Sequence, residues 1–305
     1  LQWCCLRLRR SDDGVYEKNM RITDRLKKPE KVFSFEFYPP KTEQDAEKLF
    51  ETVKDLKALK PDFISITNSS TGASPYRTVA LSGVIKQKLG LEVMAHLTCI
   101  GHTRAEIKNI AERLKVMGIE NVLALRGDTH NIAGLPPKRD YRYACELAAD
   151  LKAIGGFSIG GAGYPEKHPE APDFDSDIRA LKAKTGAGAD FIITQLFFEN
   201  RFYFDFVEKA RKGGVSVPII PGLMPLTSYK QLQNFTKMFS VLLPRAVRDG
   251  VEKYAADKDS LLKFSVDYAS RQAEDLLGNG APGVHFYTLN RSKATKEILK
   301  NLETK

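Results

Sequence analysis

The chain of 305 residues has few cysteines and no long apolar run. Its four cysteines are the adjacent Cys4 and Cys5 and the isolated Cys99 and Cys145, so no CxxC pair exists. Four cysteines are too few for a disulfide framework in a chain of this size, which favours a reducing, cytoplasmic compartment. No segment approaches the ~20 apolar residues of a membrane span. The apolar part of the N-terminus is too short and too interrupted for a signal peptide.

Several motifs that mark common binding and catalytic sites are also missing. The five histidines form no HExxH or His-x-His pattern, so we expect no metal site. The absence of GxSxG, GxGxxG and GxxxxGK disfavours a serine nucleophile, a Rossmann fingerprint and a P-loop. The glycines of TGAGAD, residues 185–190, lie between a predicted helix and the next strand. They are therefore on the wrong side of the helix to hold a pyrophosphate at its N-terminus.

The charge is positive but not concentrated. The formal net charge is +9 at pH 7, and the chain has no arginine-rich arm and no aromatic-basic repeat. The charge favours anionic substrates and cofactors, and we predict no nucleic-acid partner. A basic, RNA-binding scaffold remains an alternative that only the net charge supports. Salt-sensitive RNA affinity without a flavin would favour it.

Short β-rich runs alternate with helix-like stretches along the chain. The predicted strands are residues 32–38, 63–68, 92–99, 121–127, 158–164, 191–198, 217–221 and 283–288. The stretch EQDAEKLFETVKDLKAL places Ala46, Leu49, Phe50, Val53 and Leu56 on one helix face. Eight such units predict an α/β fold, a single-domain (β/α)₈ TIM barrel, with a longer helical excursion over residues 228–277. We expect this domain to span residues 20–305, with Met20 as the native start and residues 1–19 as a non-native extension.

Polar residues occur at almost every predicted strand end, where a barrel of this kind has its active site. They are Glu36, Thr67, Asn68, His96, Thr98, Arg126, Asp128, Tyr164, Glu166, His168, Gln195, Tyr287, Asn290 and Arg291. Each alone has a structural explanation: Thr67 can cap a helix, for example, and His96 can be a satisfied core histidine. Their joint occurrence favours an active site. Glu36, within VFSFEFYPP, either faces water on a half-exposed strand or is buried for a function.

The motifs FSFEFYPPK, HLTC, LALRGD, GYPEKHPEA, DFIITQLFF, IIPGLMP and HFYTLNR, in this order, resemble methylenetetrahydrofolate reductases. The resemblance runs from about residue 31 to residue 302 and is closest to the short bacterial type. It implies a barrel with non-covalent FAD that reduces 5,10-methylenetetrahydrofolate to 5-methyltetrahydrofolate and feeds methionine synthesis. NADH or NADPH would reduce the flavin first, and folate would then take the same site in a ping-pong reaction. It also implies a homo-oligomer.

The resemblance implies roles for individual residues. Glu36 would be the general acid that opens the substrate ring, kept uncharged by Phe35, Phe37 and Tyr38, and Asp128 would stabilise the cationic substrate. The other substrate-binding residues would be Gln195, Gln231, Tyr287 and Arg291. The FAD-binding positions would be Thr67, His96, Arg126, Gly127, Asp128, Tyr143, Ala144, Tyr164, His168, Asp177 and Lys184.

The sequence departs from the family pattern at three positions and leaves two questions open. Ala180 and Ala183 stand where some bacterial members carry an Asn and a basic residue, and Asn68 replaces an aromatic residue. These departures concern the phosphate clamp. A barrel that transfers a methyl group to tetrahydrofolate without flavin is the alternative within the enzyme class. The sequence does not choose between NADH and NADPH.

Overall fold

Eight parallel strands pair in chain order and close into a barrel in the computed structural model, which describes residues 20–68, 75–128, 140–233 and 241–303. The strands are β1 (Val32–Phe37), β2 (Phe63–Ile66), β3 (Val93–Thr98), β4 (Asn121–Leu125), β5 (Ser158–Gly163), β6 (Phe191–Leu196), β7 (Ile219–Leu223) and β8 (Gly283–Tyr287). The (β/α)₈ prediction is confirmed, and the predicted strand bounds lie within two residues of those observed. The predicted extension, residues 1–19, lies outside the described residues.

A short helix precedes β1 at the amino end of the barrel, and longer helices follow the strands around its outside. They are α1 (Ile22–Arg25), α2 (Glu43–Lys57), α3 (Pro75–Leu89), α4 (Arg104–Val116), α5 (Ala144–Ile154), α6 (Phe174–Gly186), α7 (Asn200–Lys212), α8 (Arg245–Lys253), α9 (Lys258–Gly278) and α10 (Lys293–Glu303). Helices α8 and α9 form the predicted excursion between β7 and β8. None of the helices in the described ranges is both long and apolar enough to cross a bilayer.

Local sequence explains where these helices begin and which face they bury. The Thr42 side chain caps α2 by accepting a hydrogen bond from the Asp45 backbone, and the helix buries Leu49, Val53 and Leu56. An apolar residue at every third or fourth position gives a helix one face that packs on the strands. The predicted apolar face of this helix is confirmed.

The strands divide the barrel core into an outer and an inner part because successive side chains point to opposite faces. Outward residues such as Phe35 and Phe37 pack against the helices. An inner cluster fills the amino end of the barrel: Ile22, Val32, Phe63, Met94, Leu123, Phe191, Ile193 and Ile220. Gly160 is needed here, since a β-carbon would lie 2.8 Å from the Phe191 ring. Polar residues such as Glu36, His96 and Tyr287 occupy inner positions nearer the carboxyl ends of the strands.

Candidate active site

The carboxyl ends of β1, β3 and β8 bring together one carboxyl group and two imidazoles. Glu36 is only 6% exposed, and its Oε2 lies 3.5 Å from Nε2 of His96 and 3.7 Å from Nε2 of His285. The Thr288 hydroxyl donates a 2.6 Å hydrogen bond to the Glu36 backbone carbonyl. The sequence left open whether Glu36 faces water, and the structure places it inside the barrel.

Two of the three aromatic neighbours of Glu36 in the sequence do not surround its carboxyl group. We expected Phe35, Phe37 and Tyr38 to keep this carboxyl uncharged, but Phe35 and Phe37 are fully buried on the opposite strand face, against the helices. The alternation of side chains along a strand separates them from the carboxyl group. The His96 and His285 imidazoles lie close to the carboxyl group instead, and the Glu36 charge adds to the effect of burial in raising the pKa of Tyr38 and of Tyr287.

The buried His96 imidazole is held in its neutral form. Burial lowers the pKa of His96 to about 4, while the Glu36 charge acts in the opposite direction. Nε2 of His96 and Oγ1 of Thr67 are buried and find no hydrogen-bond partner within the described ranges. Buried polar atoms are normally paired. These two atoms, on β3 and just after β2, are therefore suited to contact a bound molecule.

Tyr287, at the end of β8, joins three strands at the mouth of the barrel. Its hydroxyl donates a 2.6 Å hydrogen bond to the Thr194 carbonyl on β6. Burial is the main reason that the pKa of Tyr287 is raised well above its usual range, and the Glu36 charge adds to the effect. Thr194 Oγ1 also accepts a 2.9 Å hydrogen bond from the backbone of Gly222 on β7. The β6–β7 register shifts between Ile193 and Leu196, the stretch that contains Thr194 and the half-buried Gln195.

A second polar group lies beyond β4 and β5 and at the start of α6. Both terminal nitrogens of Arg126 lie 2.6 Å from the carboxylate oxygens of Glu170. The backbone N–H of His168 donates a 2.9 Å hydrogen bond to Asp177. The His168 ring meets the Tyr164 ring edge to face at 4.5 Å. Four predicted cofactor-binding residues are thus brought together, and Glu170 joins them.

Lys184 extends this group from the last turn of α6. Its ammonium donates a hydrogen bond to the Ala162 carbonyl on β5. Burial lowers the pKa of Lys184 to about 8, against an opposing effect of the Asp177 charge. Burial also raises the pKa of Tyr164 to about 12, with a further contribution from Asp128. The group thus combines a permanent cation, Arg126, with a lysine whose charge changes in the mildly alkaline range.

The predicted residues around β4 and α5 are more exposed. Asp128 is exposed and directly precedes residues 129–139, which lie outside the described part of the chain. Gly127 adopts φ +87°, and an added β-carbon would lie 2.8 Å from the Ile100 methyl group, so the turn requires glycine. Tyr143 is 57% exposed, and the buried Ala144 begins α5. Asp128 and Gly127 adjoin Arg126 at the carboxyl end of β4.

Gln231 and Arg291 line one cleft of about 500 Å³. Gln231 Oε1 accepts a 2.7 Å hydrogen bond from the Thr227 backbone, and an Arg291 nitrogen lies 3.3 Å from the Thr227 hydroxyl. Thr288, which fixes the Glu36 carbonyl, also lines the cleft. Through Thr288 the cleft therefore reaches the β1 backbone at Glu36.

Two residues of the site, His285 and Glu170, were not predicted from the sequence. His285 belongs to the same strand face as Tyr287, two residues further on, so the strand period was a signal that pointed to it. Nothing in the sequence pairs Glu170 with Arg126, because the two residues belong to different loops. Within the ranges that the structure covers, no three His, Cys, Asp or Glu side chains form a metal-binding group.

Residues 21–303 match a family model described as methylenetetrahydrofolate reductase. The 5,10-methylenetetrahydrofolate reductase of Pectobacterium carotovorum is 36% identical over 88% of this chain and 89% of its own length. A probable methylenetetrahydrofolate reductase (NADPH) of Caenorhabditis elegans is 34% identical over 94% of this chain and 44% of its own length. Methylenetetrahydrofolate reductase (NADH) 1 of Arabidopsis thaliana is 32% identical over 93% of this chain and 51% of its own length.

A solved structure gives an independent comparison of the fold. A Clostridium thermocellum protein described as binding two copies of 5-methyl-5,6,7,8-tetrahydrofolic acid matches with a TM-score of 0.63 and 16% sequence identity. The match covers 90% of this chain and 94% of the other. At this identity the likeness supports the fold alone.

Proposed function

The chain belongs to the methylenetetrahydrofolate reductase family, and we propose that it reduces 5,10-methylenetetrahydrofolate with NADH or NADPH through bound FAD in a ping-pong reaction. Family membership supports the folate reaction. The observation that carries the proposal is the buried Glu36 carboxyl group inside the barrel, beside the His96 and His285 imidazoles. Cytoplasmic location, a part in methionine synthesis and a homo-oligomeric state remain predictions.

The residues at this end of the barrel fit FAD. The unpaired Thr67 Oγ1 and His96 Nε2 can contact it. Lys184 would be one cation for its diphosphate, and Arg126 would be a second after its terminal nitrogens exchange the Glu170 carboxylate for phosphate oxygens. Asp177 suits a ribose hydroxyl. The remaining positions assigned to it are Gly127, Asp128, Tyr143, Ala144, Tyr164 and His168. When bound, FAD supplies the transfer of reducing equivalents from nicotinamide to folate, and the protein supplies binding and electrostatics.

We assign Glu36 as the proton donor to the substrate. The five-membered ring of the substrate opens when its C–N bond breaks, and the leaving nitrogen then needs a proton. A carboxyl group that is 6% exposed and fixed at its backbone by Thr288 can present that proton in one orientation. Ring opening leaves a cationic iminium. The Asp128 carboxylate, at the end of β4, would stabilise this cation and accept hydrogen bonds from the pterin.

The amide and tail contacts complete the proposed substrate site. Gln195 and Gln231 carry amides that suit the polar edges of the pterin and the nicotinamide. Tyr287 and Arg291 would take the folate tail, with Arg291 binding a carboxylate. Gln231 and Arg291 both line the cleft. The two substrates would use this site in turn.

Anaerobic stopped-flow absorbance tests the proposal. Purified protein with FAD is reduced by NADH and by NADPH in separate experiments, and methylenetetrahydrofolate is then added. We expect the flavin to be bleached by at least one nucleotide and to recover its colour with folate. Protein that stays colourless in excess FAD would contradict the flavin assignment. A methyl transfer to tetrahydrofolate by such colourless protein would support the methyltransferase instead.

A further inference from the structure

His285 is a fully buried titratable residue to which the proposed reaction gives no role. It lies on β8 with both ring nitrogens close to polar groups. Nδ1 is 2.7 Å from the Ser34 hydroxyl, and Nε2 is 3.4 Å from the Ser65 hydroxyl and 3.7 Å from the Glu36 carboxyl group. The Phe63 ring stacks on the imidazole at a centroid distance of 6.1 Å. The ring therefore has a fixed plane that directs Nε2 toward Glu36.

Among the polar groups around Glu36, His285 is fixed most firmly by hydrogen bonds. His96, on β3, lies 3.5 Å from the carboxyl group, but its Nε2 has no hydrogen-bond partner and burial keeps its ring neutral. The Tyr38 and Tyr287 phenols also feel the Glu36 charge. No lysine or arginine in the described ranges forms an ion pair with Glu36. Of the two imidazoles, His285 is the one whose other ring nitrogen, Nδ1, is held by a hydrogen bond with Ser34.

The surroundings of the two ring nitrogens accommodate a ring proton on Nε2. Nε2 faces the Ser65 hydroxyl and the Glu36 carboxyl group, and Nδ1 faces the Ser34 hydroxyl, which can either donate or accept. With the proton on Nε2, Ser34 donates into Nδ1 and Nε2–H points at both acceptors. Catalytic hydrogen bonds are often long in a free enzyme and tighten with substrate. The 3.7 Å separation is consistent with such a contact.

We propose that His285 is a positioning residue that donates from Nε2 to the Glu36 carboxyl group and makes Glu36 a stronger acid. This inference rests on the proposed function of Glu36. When the Glu36 O–H bond breaks, its proton moves to the substrate nitrogen whose bond to carbon breaks. The carboxylate that remains is a stronger acceptor than the carboxyl group. The Nε2–H bond therefore stabilises the product of proton transfer more than its reactant.

The proposal predicts opposite effects for the two serines. Ser34→Ala removes the donor to Nδ1 and frees the ring to carry its proton there, so Glu36 becomes a weaker acid. Ser65→Ala removes the competing acceptor at Nε2, so Glu36 becomes a stronger acid. The two variants each remove one hydroxyl from a buried inner position, so each controls for the structural effect of the other. His285→Phe should act like Ser34→Ala, and His285→Gln should partly restore the donor.

Infrared titration of the FAD-loaded protein without folate measures this directly. Isotope-labelled glutamate identifies the C=O band of protonated Glu36, and its midpoint pH is followed in each variant. We expect a rise of about one pH unit in Ser34→Ala and His285→Phe, which is a tenfold change in acid strength, and a fall in Ser65→Ala. Nitrogen-15 NMR of the imidazoles should show the His285 proton on Nε2.

The proposal would be overturned if the two serine variants had equal infrared midpoints or midpoints in the reverse order. A His285 ring proton on Nδ1 would also overturn it. The pH at which folate reoxidises the reduced flavin should shift in the same direction as the infrared midpoint. The infrared and NMR measurements need no folate. A wild-type protein that fails to turn over folate would thus refute the proposed function, while the infrared result would still decide the role of His285.

Discussion

The buried His96 imidazole makes folding stability depend on pH, and the structure gives the size of the effect. Its pKa is about 4 in the folded protein against an ordinary value of 6.5. As the pH falls below 6.5, the unfolded chain takes up the proton before the folded chain does. The free energy of unfolding therefore decreases with falling pH and reaches the full loss below about pH 4. The difference between these two pKa values corresponds to about 3 kcal/mol in the free energy of unfolding.

The assay is urea unfolding of the flavin-free protein at a series of pH values. Wild-type protein and His96→Gln are compared, and the difference between their unfolding free energies is plotted against pH. This difference should change by about 3 kcal/mol between pH 7 and pH 4, in the direction that favours the variant at low pH. Burial also lowers the pKa of the partly exposed His102, by less than that of His96, so His102→Gln should show a smaller change in the same direction and serves as the comparison variant. Parallel pH curves for wild type and His96→Gln would refute the reasoning.

Three further predictions concern other parts of the site. FAD affinity should weaken about tenfold from pH 7 to pH 9 as Lys184, with its pKa lowered to about 8, loses its charge, and Lys184→Arg should remove this dependence in a fluorescence titration. Gly222→Ala should cost about 1–3 kcal/mol in thermal unfolding, because the Thr194 carbonyl and the Tyr287 ring occupy the place of a β-carbon. Asp128→Asn should weaken folate binding and raise the flavin potential in a redox titration, since it removes a negative charge. Unchanged values in any of these measurements would contradict the corresponding assignment.

The sequence predicted the barrel because strand and helix periods are local properties. Each strand carries its own apolar run, and residues at strand ends such as Glu36 and Tyr287 share one end of the barrel by topology alone. The eight strands could therefore be located within two residues. The polar character of the active-site end could be predicted in the same way.

The contacts within the site could not be predicted, since they depend on which side chains meet across the barrel. Glu36 was expected among its sequence neighbours Phe35, Phe37 and Tyr38, but strand alternation turns the two phenylalanines outward. The carboxyl group instead meets His285, which is 249 positions away by number and on the adjacent strand β8. The pairing of Arg126 with Glu170 is likewise set by the packing of two loops.

The most direct test of the central claim is a comparison of the two half-reactions in Glu36→Gln. The variant keeps the size of the side chain and removes the proton that the substrate ring needs. We predict that it binds FAD and oxidises NADH or NADPH in stopped-flow absorbance, and that methylenetetrahydrofolate no longer reoxidises the reduced flavin. Reoxidation by folate at the wild-type rate would contradict the assignment of Glu36 as the acid.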